Sequence, residues 1–330
     1  MTGTDGPAIA VAGIAKSYAR AGGRRLRGPR VPAAGQQGGA GEDRVRALSP
    51  FDLTVARGQI VGILGPDGAG KSTLLRILAT LLLPDQGRGT ICGHDLVKDY
   101  RQVRRSIGYM PQRFSLYPDL SVFENMRFFA EIFGLSRAAF RSRMEELLAF
   151  NMLEPFLDRR AGALSGGMKQ KLALSCILIH TPELLILDEP TTGVDPVSRA
   201  EFWEILGGLR DQGVPVLVTT PYMDEAQHCD RICLLHEGAR LAEDAPERIV
   251  ESFPYALAVL RGGDPLERQA ELGGLEGVVR AVAFGDRLHL YTRDLPALAS
   301  RLAARGLEVT AGRPTLEDVF VEKMGETVSG

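Results

Sequence analysis

The stretch Gly65-Pro66-Asp67-Gly68-Ala69-Gly70-Lys71-Ser72-Thr73 decides how this chain is read. It follows the pattern G-x-x-x-x-G-K-[S/T], and its flanks suit it. Residues 59–64 (QIVGIL) form a short apolar run of the kind that makes a buried parallel strand. Leu74, Leu75, Ile77, Leu78 and Leu81 then recur at helical spacing until Pro84. A strand, a glycine loop and a helix make a phosphate cradle: the glycines let backbone N–H groups wrap an anion, and the helix N-terminus adds favourable partial charge. In this pattern Lys71 reaches the β- and γ-phosphates, and the Ser72 hydroxyl ligates Mg²⁺.

A length of 330 residues suggests about two domains. The 45% hydrophobic content allows a substantial core, and 39 Lys+Arg against 41 Asp+Glu gives a charge of −2, which does not announce a nucleic-acid binder. Cys92, Cys176, Cys229 and Cys233 are too few and too scattered for a disulfide framework, which points to a reducing compartment. The first residues lack the basic-then-apolar order of a signal peptide. No apolar run reaches about 18 residues, so the chain is expected not to cross a membrane itself. Any transport role is expected to need a separate membrane partner.

Along the chain, residues 8–18 alternate apolar and polar, as an edge-type strand would. Residues 20–46 hold seven arginines, two acids and seven glycines, and read as a flexible basic insertion; attraction to anionic lipid or nucleic acid is the alternative. A strand at 48–55 leads into the phosphate-loop strand, and short strands recur around Ile91 and at 107–110, before Gln112. A mostly helical stretch covers 121–160, with Phe123, Met126, Phe129 and Phe133 expected on a packed face. Leu164-Ser165-Gly166-Gly167-Met168-Lys169-Gln170 opens an apolar helix. Residues 184–187 (LLIL) form a central strand that ends in Asp188-Glu189, where ligands sit in open α/β sheets. Asp195-Pro196 is an N-cap followed by proline at the first helical position. From about residue 255 the order β-α-β-β-α-β spells a ferredoxin-like unit, followed by a last helix.

The order GPDGAGKST, Gln112, LSGGMKQ, LLILDEP and Val194-Asp195-Pro196 resembles the ATP-binding subunit of an ABC transporter over about residues 8–250. The wording around LSGGMKQ, and the tail Pro314-Thr315-Leu316-Glu317-Asp318-Val319-Phe320, are similar to drug-exporter-type subunits, which pair with ABC-2-type membrane proteins. The resemblance implies an α/β phosphate-loop NTPase core with an antiparallel β subdomain and an α-helical subdomain, to which the C-terminal reading adds a small α+β domain. The expected domains are an ATP-binding cassette over 1–252, its helical subdomain and signature motif at about 113–180, and an accessory α+β domain over 253–330.

The same resemblance implies the site. Gly65, Pro66, Asp67, Gly68, Ala69, Gly70, Lys71, Ser72 and Thr73 bind ATP, and Tyr18 stacks on adenine. Ser72, Gln112 and Asp188 hold Mg²⁺. Glu189 polarises the attacking water, with Gln112 and Lys71 completing the catalytic set. Ser165, Gly166 and Gly167 face the γ-phosphate of the opposite protomer, so ATP joins two cassettes face to face, as a homodimer or as a heterodimer with a second cassette.

One position departs from the pattern. The family usually carries a histidine where this chain has Pro221, which offers neither a titratable side chain nor a backbone N–H. A cassette that binds ATP but hydrolyses it weakly at its own phosphate loop is therefore expected; a normally active homodimer is the alternative. His228, Cys229, Cys233 and His236 invite a zinc reading, but their order does not match the usual spacing and core packing is expected. The resulting expectation is an ATPase subunit of an exporter, cytoplasmic and peripheral on the inner face of the cell membrane, with no nucleic-acid partner. Its rivals are a soluble ABC ATPase acting on nucleic acid or ribosomes, and a non-hydrolysing regulatory subunit. The C-terminal domain is expected to help dimerise or regulate the cassette.

Overall fold

A computed structural model describes residues 6–19, 44–113 and 116–328, the side chains of 326–328 excepted. The chain divides into two compact units, Met1–Glu243 and Asp244–Gly330. The sequence reading put the boundary at 252. The difference is one short helix, Pro246–Glu251, which packs on the last helix of the chain and goes with the second unit.

The first unit runs β1 (Ile9–Ala19), β2 (Arg44–Val55), β3 (Ile60–Leu64), α1 (Lys71–Leu78), β4 (Gln86–Ile91), β5 (His94–Asp95), α2 (Tyr100–Ser106), β6 (Ile107–Met110), α3 (Val122–Ile132), α4 (Arg137–Asn151), α5 (Gly166–Leu178), β7 (Leu184–Asp188), α6 (Pro196–Asp211), β8 (Val216–Thr220), β9 (Arg231–His236) and β10 (Ala239–Asp244). Its main sheet has the order β10-β9-β3-β8-β7-β6. β3 pairs in parallel with β8 and β9, and β7 with β8 and β6. Every residue of β3, β7 and β8 is buried, which is why these strands read as continuous apolar runs. Against β8, Leu64 pairs with Thr220 and Asp188 with Thr219. The loop after β3 and the acids after β7 therefore open on one crevice, at the carboxyl ends of the strands.

The edge-type reading of 8–18 needs correcting. β1 lies inside a second sheet, β2-β1-β4-β5, antiparallel to both β2 and β4. Its alternation reflects one buried face, with Ile9, Val11 and Ile14 in the core, and not an open edge. β2 also starts at Arg44 rather than at 48, because Arg44, Val45 and Arg46 pair with Ala19, Tyr18 and Ser17. Those three residues of the expected insertion are strand, since ladder hydrogen bonds need no apolar side chains; residues 20–43 lie outside the described residues.

α1 sinks Leu74, Leu75, Ile77 and Leu78 into a core that also holds Phe51, Leu53, Ile63 and Ile186. At about 1.5–3 kcal/mol for each such side chain, this packing fixes the start of α1, and with it Lys71, at the end of β3. The fifth leucine of the pattern does not join in. The helix stops at Leu78, Thr80 takes a φ of 59°, and Leu81 is 56% exposed. In the helical region Ser121 and Glu124 form a capping box on α3, and Ser136 caps α4. Met126 is fully buried, as the packed-face reading requires, whereas Phe133 is exposed and stacks on the His180 ring at 3.6 Å. Among the described residues, no helix is long and apolar enough to cross a membrane.

The second unit comprises α7 (Pro246–Glu251), β11 (Ala256–Arg261), α8 (Pro265–Leu272), β12 (Arg280–Phe284), β13 (Arg287–Thr292), α9 (Leu295–Ala303), β14 (Val309–Gly312) and α10 (Leu316–Val328). Its sheet order, β12-β13-β11-β14, with antiparallel pairs throughout, is that of a ferredoxin-like fold. Leu288 and Leu290 of β13 join Leu272, Leu298 and Leu302 from α8 and α9 in one core. His289 and Tyr291 alternate to the other face and bond to Asp318 of α10 at 2.7 and 2.9 Å. The tail motif thus has a local structural job: Asp318 closes α10 on the sheet and takes the Thr315 N–H and hydroxyl at its second oxygen.

Candidate functional site

The loop between β3 and α1 is shaped by close backbone approach. A Cβ on Gly65 would stand 2.1 Å from the Leu235 carbonyl oxygen, and one on Gly70 would stand 2.4 Å from that of Ala47. Gly70 also takes a φ of 105°, which leaves glycine as the residue that fits. It caps α1 without a side-chain bond, and the first turn of that helix carries no acid. No acid of the helix itself therefore competes for its N-terminal N–H groups, which suit an anion. Around them lies an open cleft of about 370 Å³ lined by Ala47, Asp67 to Thr73, Gln112 and Glu189.

Lys71 is 3% exposed at the base of this cleft. Its ammonium donates to the carbonyls of Gly65 (2.7 Å) and Pro66 (3.1 Å) and pairs with Glu189 Oε1 at 3.0 Å. Glu189 Oε2 accepts from Gln112 Nε2 at 2.8 Å and from the Thr192 hydroxyl at 3.4 Å. Asp188 Oδ1 accepts from Ser72 Oγ (3.1 Å) and Thr219 Oγ1 (2.8 Å). Glu189 leaves the strand with a φ of 49°, a left-handed turn that aims the two neighbouring carboxylates differently. Tyr18 is 41% exposed, with its hydroxyl 3.4 Å from Thr73 Oγ1, so an aromatic face stands at the rim of the phosphate loop.

The family described as "ABC transporter" matches residues 48–192. Over 281 residues the chain is 39% identical to the Nod factor export ATP-binding protein I of Burkholderia lata, covering 84% of this chain and 92% of that protein. The chain belongs to the ABC transporter ATP-binding family. It is also 44% identical over 207 residues to the probable multidrug ABC transporter ATP-binding protein YbhF of Escherichia coli K12, of whose length it spans 36%. Among solved structures, the cassette MJ0796, a dimer in a post-hydrolysis state bound to ADP and Pi, aligns at 27% identity with a TM-score of 0.60, covering 72% of this chain and 98% of that one. The cbiO1 protein of Clostridium perfringens, part of the ABC transporter complex cbiONQ, aligns at 25% identity with a TM-score of 0.63, covering 75% and 92%.

Within this cassette the signature does not meet its own phosphate loop. Ser165 caps α5 by accepting from the Met168 N–H, and Ser165 and Gly166 are exposed. A second cleft, of about 420 Å³, places Gly166 and Lys169 beside Thr192, Gly193, Val194 and Gln112. Gln112 alone of the expected residues lines both clefts.

Around Pro221 a buried cluster takes shape that the sequence reading missed. Glu225, 3% exposed, accepts from Thr191 Oγ1 (2.8 Å), Thr220 Oγ1 and Arg199 Nε (3.1 Å), while the Arg199 guanidinium lies 4.4 Å over the Tyr222 ring. Thr219 was also missed. Its signal was positional: it is the penultimate residue of β8, the neighbour of the strand that carries Asp188, in direct register with that acid. His228 stacks on the Trp203 ring at 5.1 Å. Cys229 and Cys233 are buried, and burial pushes the Cys233 thiol up to about 12.

The residues expected to hold Mg²⁺ suit a hard cation, offering hydroxyl, amide and carboxylate oxygens. Asp188 is 1% exposed and both of its hydrogen-bond donors are neutral hydroxyls. Burial therefore pushes its pKa above the usual carboxylate range, against the pull of those two bonds. A buried carboxylate short of positive charge is what a divalent ion compensates.

Proposed function

We propose that this chain is the ATP-hydrolysing subunit of an ABC exporter, which turns ATP-driven pairing with a second cassette into rearrangement of separate ABC-2-type membrane subunits at the inner face of the cell membrane. One observation carries this reading. Lys71, Ser72, Gln112, Asp188 and Glu189 converge in one chain, while the exposed Ser165 and Gly166 take no part in lining their cleft. A site built this way is complete only when a partner lends its signature corner. The exporter assignment leans on relatives named for Nod factor export and multidrug transport.

On arrival of ATP, Lys71 exchanges two backbone carbonyls and Glu189 for phosphate oxygens. Ser72, Asp188 and Gln112 would hold Mg²⁺, which when bound would supply charge neutralisation to the phosphates. Glu189 then has a free carboxylate oxygen to orient the attacking water and take its proton, with Gln112 holding the other oxygen. Tyr18 offers its ring to adenine. Phosphoryl transfer asks mainly for positioning and charge neutralisation, which this set supplies.

Pro221 favours a specific form of this reading. The chain binds ATP well and turns it over weakly at its own loop, and its corner completes a stronger site on a histidine-bearing partner. Removing one stabiliser of transition-state charge costs about 10²- to 10³-fold in rate. Pro221→His in the purified full chain is expected to raise turnover by about 10²-fold at unchanged Mg·ATP affinity. The substitution takes away no backbone hydrogen bond, since proline has no N–H to give. Ordinary turnover by the unmodified homodimer, or no gain from the variant, discards the weak-site form; a chain with no affinity for Mg·ATP discards the function. The C-terminal unit is assigned to pairing or regulation, and removal of residues 254–330 is expected to weaken ATP-driven assembly or change turnover.

A further inference from the structure

The glycine at 167 is demanded from inside the chain. A Cβ there would stand 2.3 Å from Ser198 Oγ and 2.4 Å from Ser198 Cβ. Rotation of Ser198 moves its hydroxyl but leaves its Cβ in place, so no rotamer relieves the overlap. Gly166 is different: a Cβ there would meet the Gly193 carbonyl oxygen at 3.7 Å, an ordinary contact. The first turn of α5 is thus seated on the first turn of α6 through the missing side chain of Gly167.

Ser198 is itself held. Its N–H donates to Asp195, the cap of α6, at 3.0 Å. The loop leading to it is braced from Glu189 onward. The Thr192 N–H donates to the Glu189 carbonyl (3.2 Å) and its hydroxyl to the Glu189 carboxylate (3.4 Å). The Val194 N–H donates to the Thr191 carbonyl (3.1 Å), and the Thr191 hydroxyl to buried Glu225. A short, bonded path therefore runs from the chain's own Glu189 to the residue beneath its own signature corner.

We propose that Ser198 is a positioning residue, the seat that sets the signature corner, so that the corner this chain offers to a partner's phosphate is held by the loop carrying its own Glu189. The proposal rests on the use of that corner in trans, as argued under the proposed function. It distinguishes two reasons for a glycine at 167, room for a nucleotide and room for Ser198, and the two respond differently to a second substitution.

The test compares the full-length chain with Gly167→Ala, Ser198→Gly, and the double variants Gly167→Ala/Ser198→Gly and Gly167→Ala/Ser198→Ala. Trp203 is the chain's single tryptophan, buried in α6 against His228, so its fluorescence reports on the seat. Mg·ATP-driven pairing is followed by light scattering, and Mg·ATP affinity by titration.

Gly167→Ala is expected to shift the Trp203 emission and weaken Mg·ATP-driven pairing about tenfold, the scale of an overpacked contact. Ser198→Gly in the same chain is expected to restore both readouts, whereas Ser198→Ala, which keeps the offending Cβ, is not. If Gly167→Ala alone does not fold, recovery of folded, ATP-binding protein by the glycine double variant and not by the alanine one supports the seat. A folded Gly167→Ala/Ser198→Gly chain as impaired as Gly167→Ala overturns it. If the unmodified chain does not pair with ATP, the reading in trans fails, and Trp203 emission still decides the seat by rescue or its absence.

Discussion

Asp318→Ala tests why the C-terminal tail is written as it is. The Asp318 side chain is fully buried and accepts four bonds: His289 Nδ1 at 2.7 Å, Tyr291 OH at 2.9 Å, Thr315 N at 2.8 Å and Thr315 Oγ1 at 3.0 Å. Truncation strands the Tyr291 hydroxyl, itself fully buried, and the His289 ring, at about 1–3 kcal/mol for each orphaned group. Loss of the bond from the Thr315 N–H adds about 0.5–1.5 kcal/mol. These terms overlap, and about 3–5 kcal/mol is the scale for breaking one side of a buried hydrogen-bonded pair.

At about 1.4 kcal/mol per tenfold, amide exchange across α10 and β13 should accelerate by about 10²- to 10³-fold, read by hydrogen exchange with mass detection. Burial raises the Asp318 pKa, but the bonds from His289, Thr315 and Tyr291 outweigh it and leave the group below its ordinary value. A lowered folded pKa means the stabilisation is complete above the unfolded value of about 3.9 and lost as pH falls through the folded one. Wild-type α10 should therefore lose protection as the pH drops below about 4, and Asp318→Asn should abolish that dependence. Exchange in Asp318→Ala at the wild-type rate refutes the latch.

Two further outcomes concern the nucleotide site. Glu189→Gln removes the ion that competes for Lys71, so Mg·ATP affinity by calorimetry should rise while turnover falls about 10²- to 10⁴-fold, the scale of a lost general base; weaker binding in that variant contradicts the exchange of partners. Tyr18→Ala should weaken ATP binding by about 1–3 kcal/mol, the scale of base stacking, whereas Tyr18→Phe should leave it near wild type, because the Tyr18 hydroxyl makes only a 3.4 Å contact with Thr73. Equal losses in both Tyr18 variants would assign the residue to the hydroxyl rather than the ring.

The phosphate loop, the paired acids and the strand order of the second unit were legible because each is local. A glycine loop running into a lysine, a run of buried aliphatics or a β-α-β-β-α-β rhythm leaves its mark within a few residues. The inside position of β1 was not legible, since one-faced burial gives the same alternation at an edge or in the middle of a sheet. Thr219 and Glu225 were missed for a related reason. Each acts on a residue some thirty positions away, Thr219 on Asp188 in the neighbouring strand and Glu225 on Thr191 in the loop after that strand, and nothing beside them in sequence records those partners. Gly167 was legible as glycine, but its neighbour Ser198 lies 31 positions on, and only packing shows that the two share one space.

The deepest constraint on the site is electrostatic. Lys71 and Glu189 are 3% and 5% exposed, and each serves as the other's counter-ion at 3.0 Å. Neither can be left alone in that burial, because an uncompensated buried charge costs several kcal/mol. In the proposed mechanism Lys71 therefore leaves Glu189 only for a phosphate, and Glu189 gains a free oxygen only when Lys71 has left. Binding and activation become one event. The carboxylate that orients water in the proposed mechanism is thus held by the group that receives the phosphate, so Glu189 stays engaged until the triphosphate arrives.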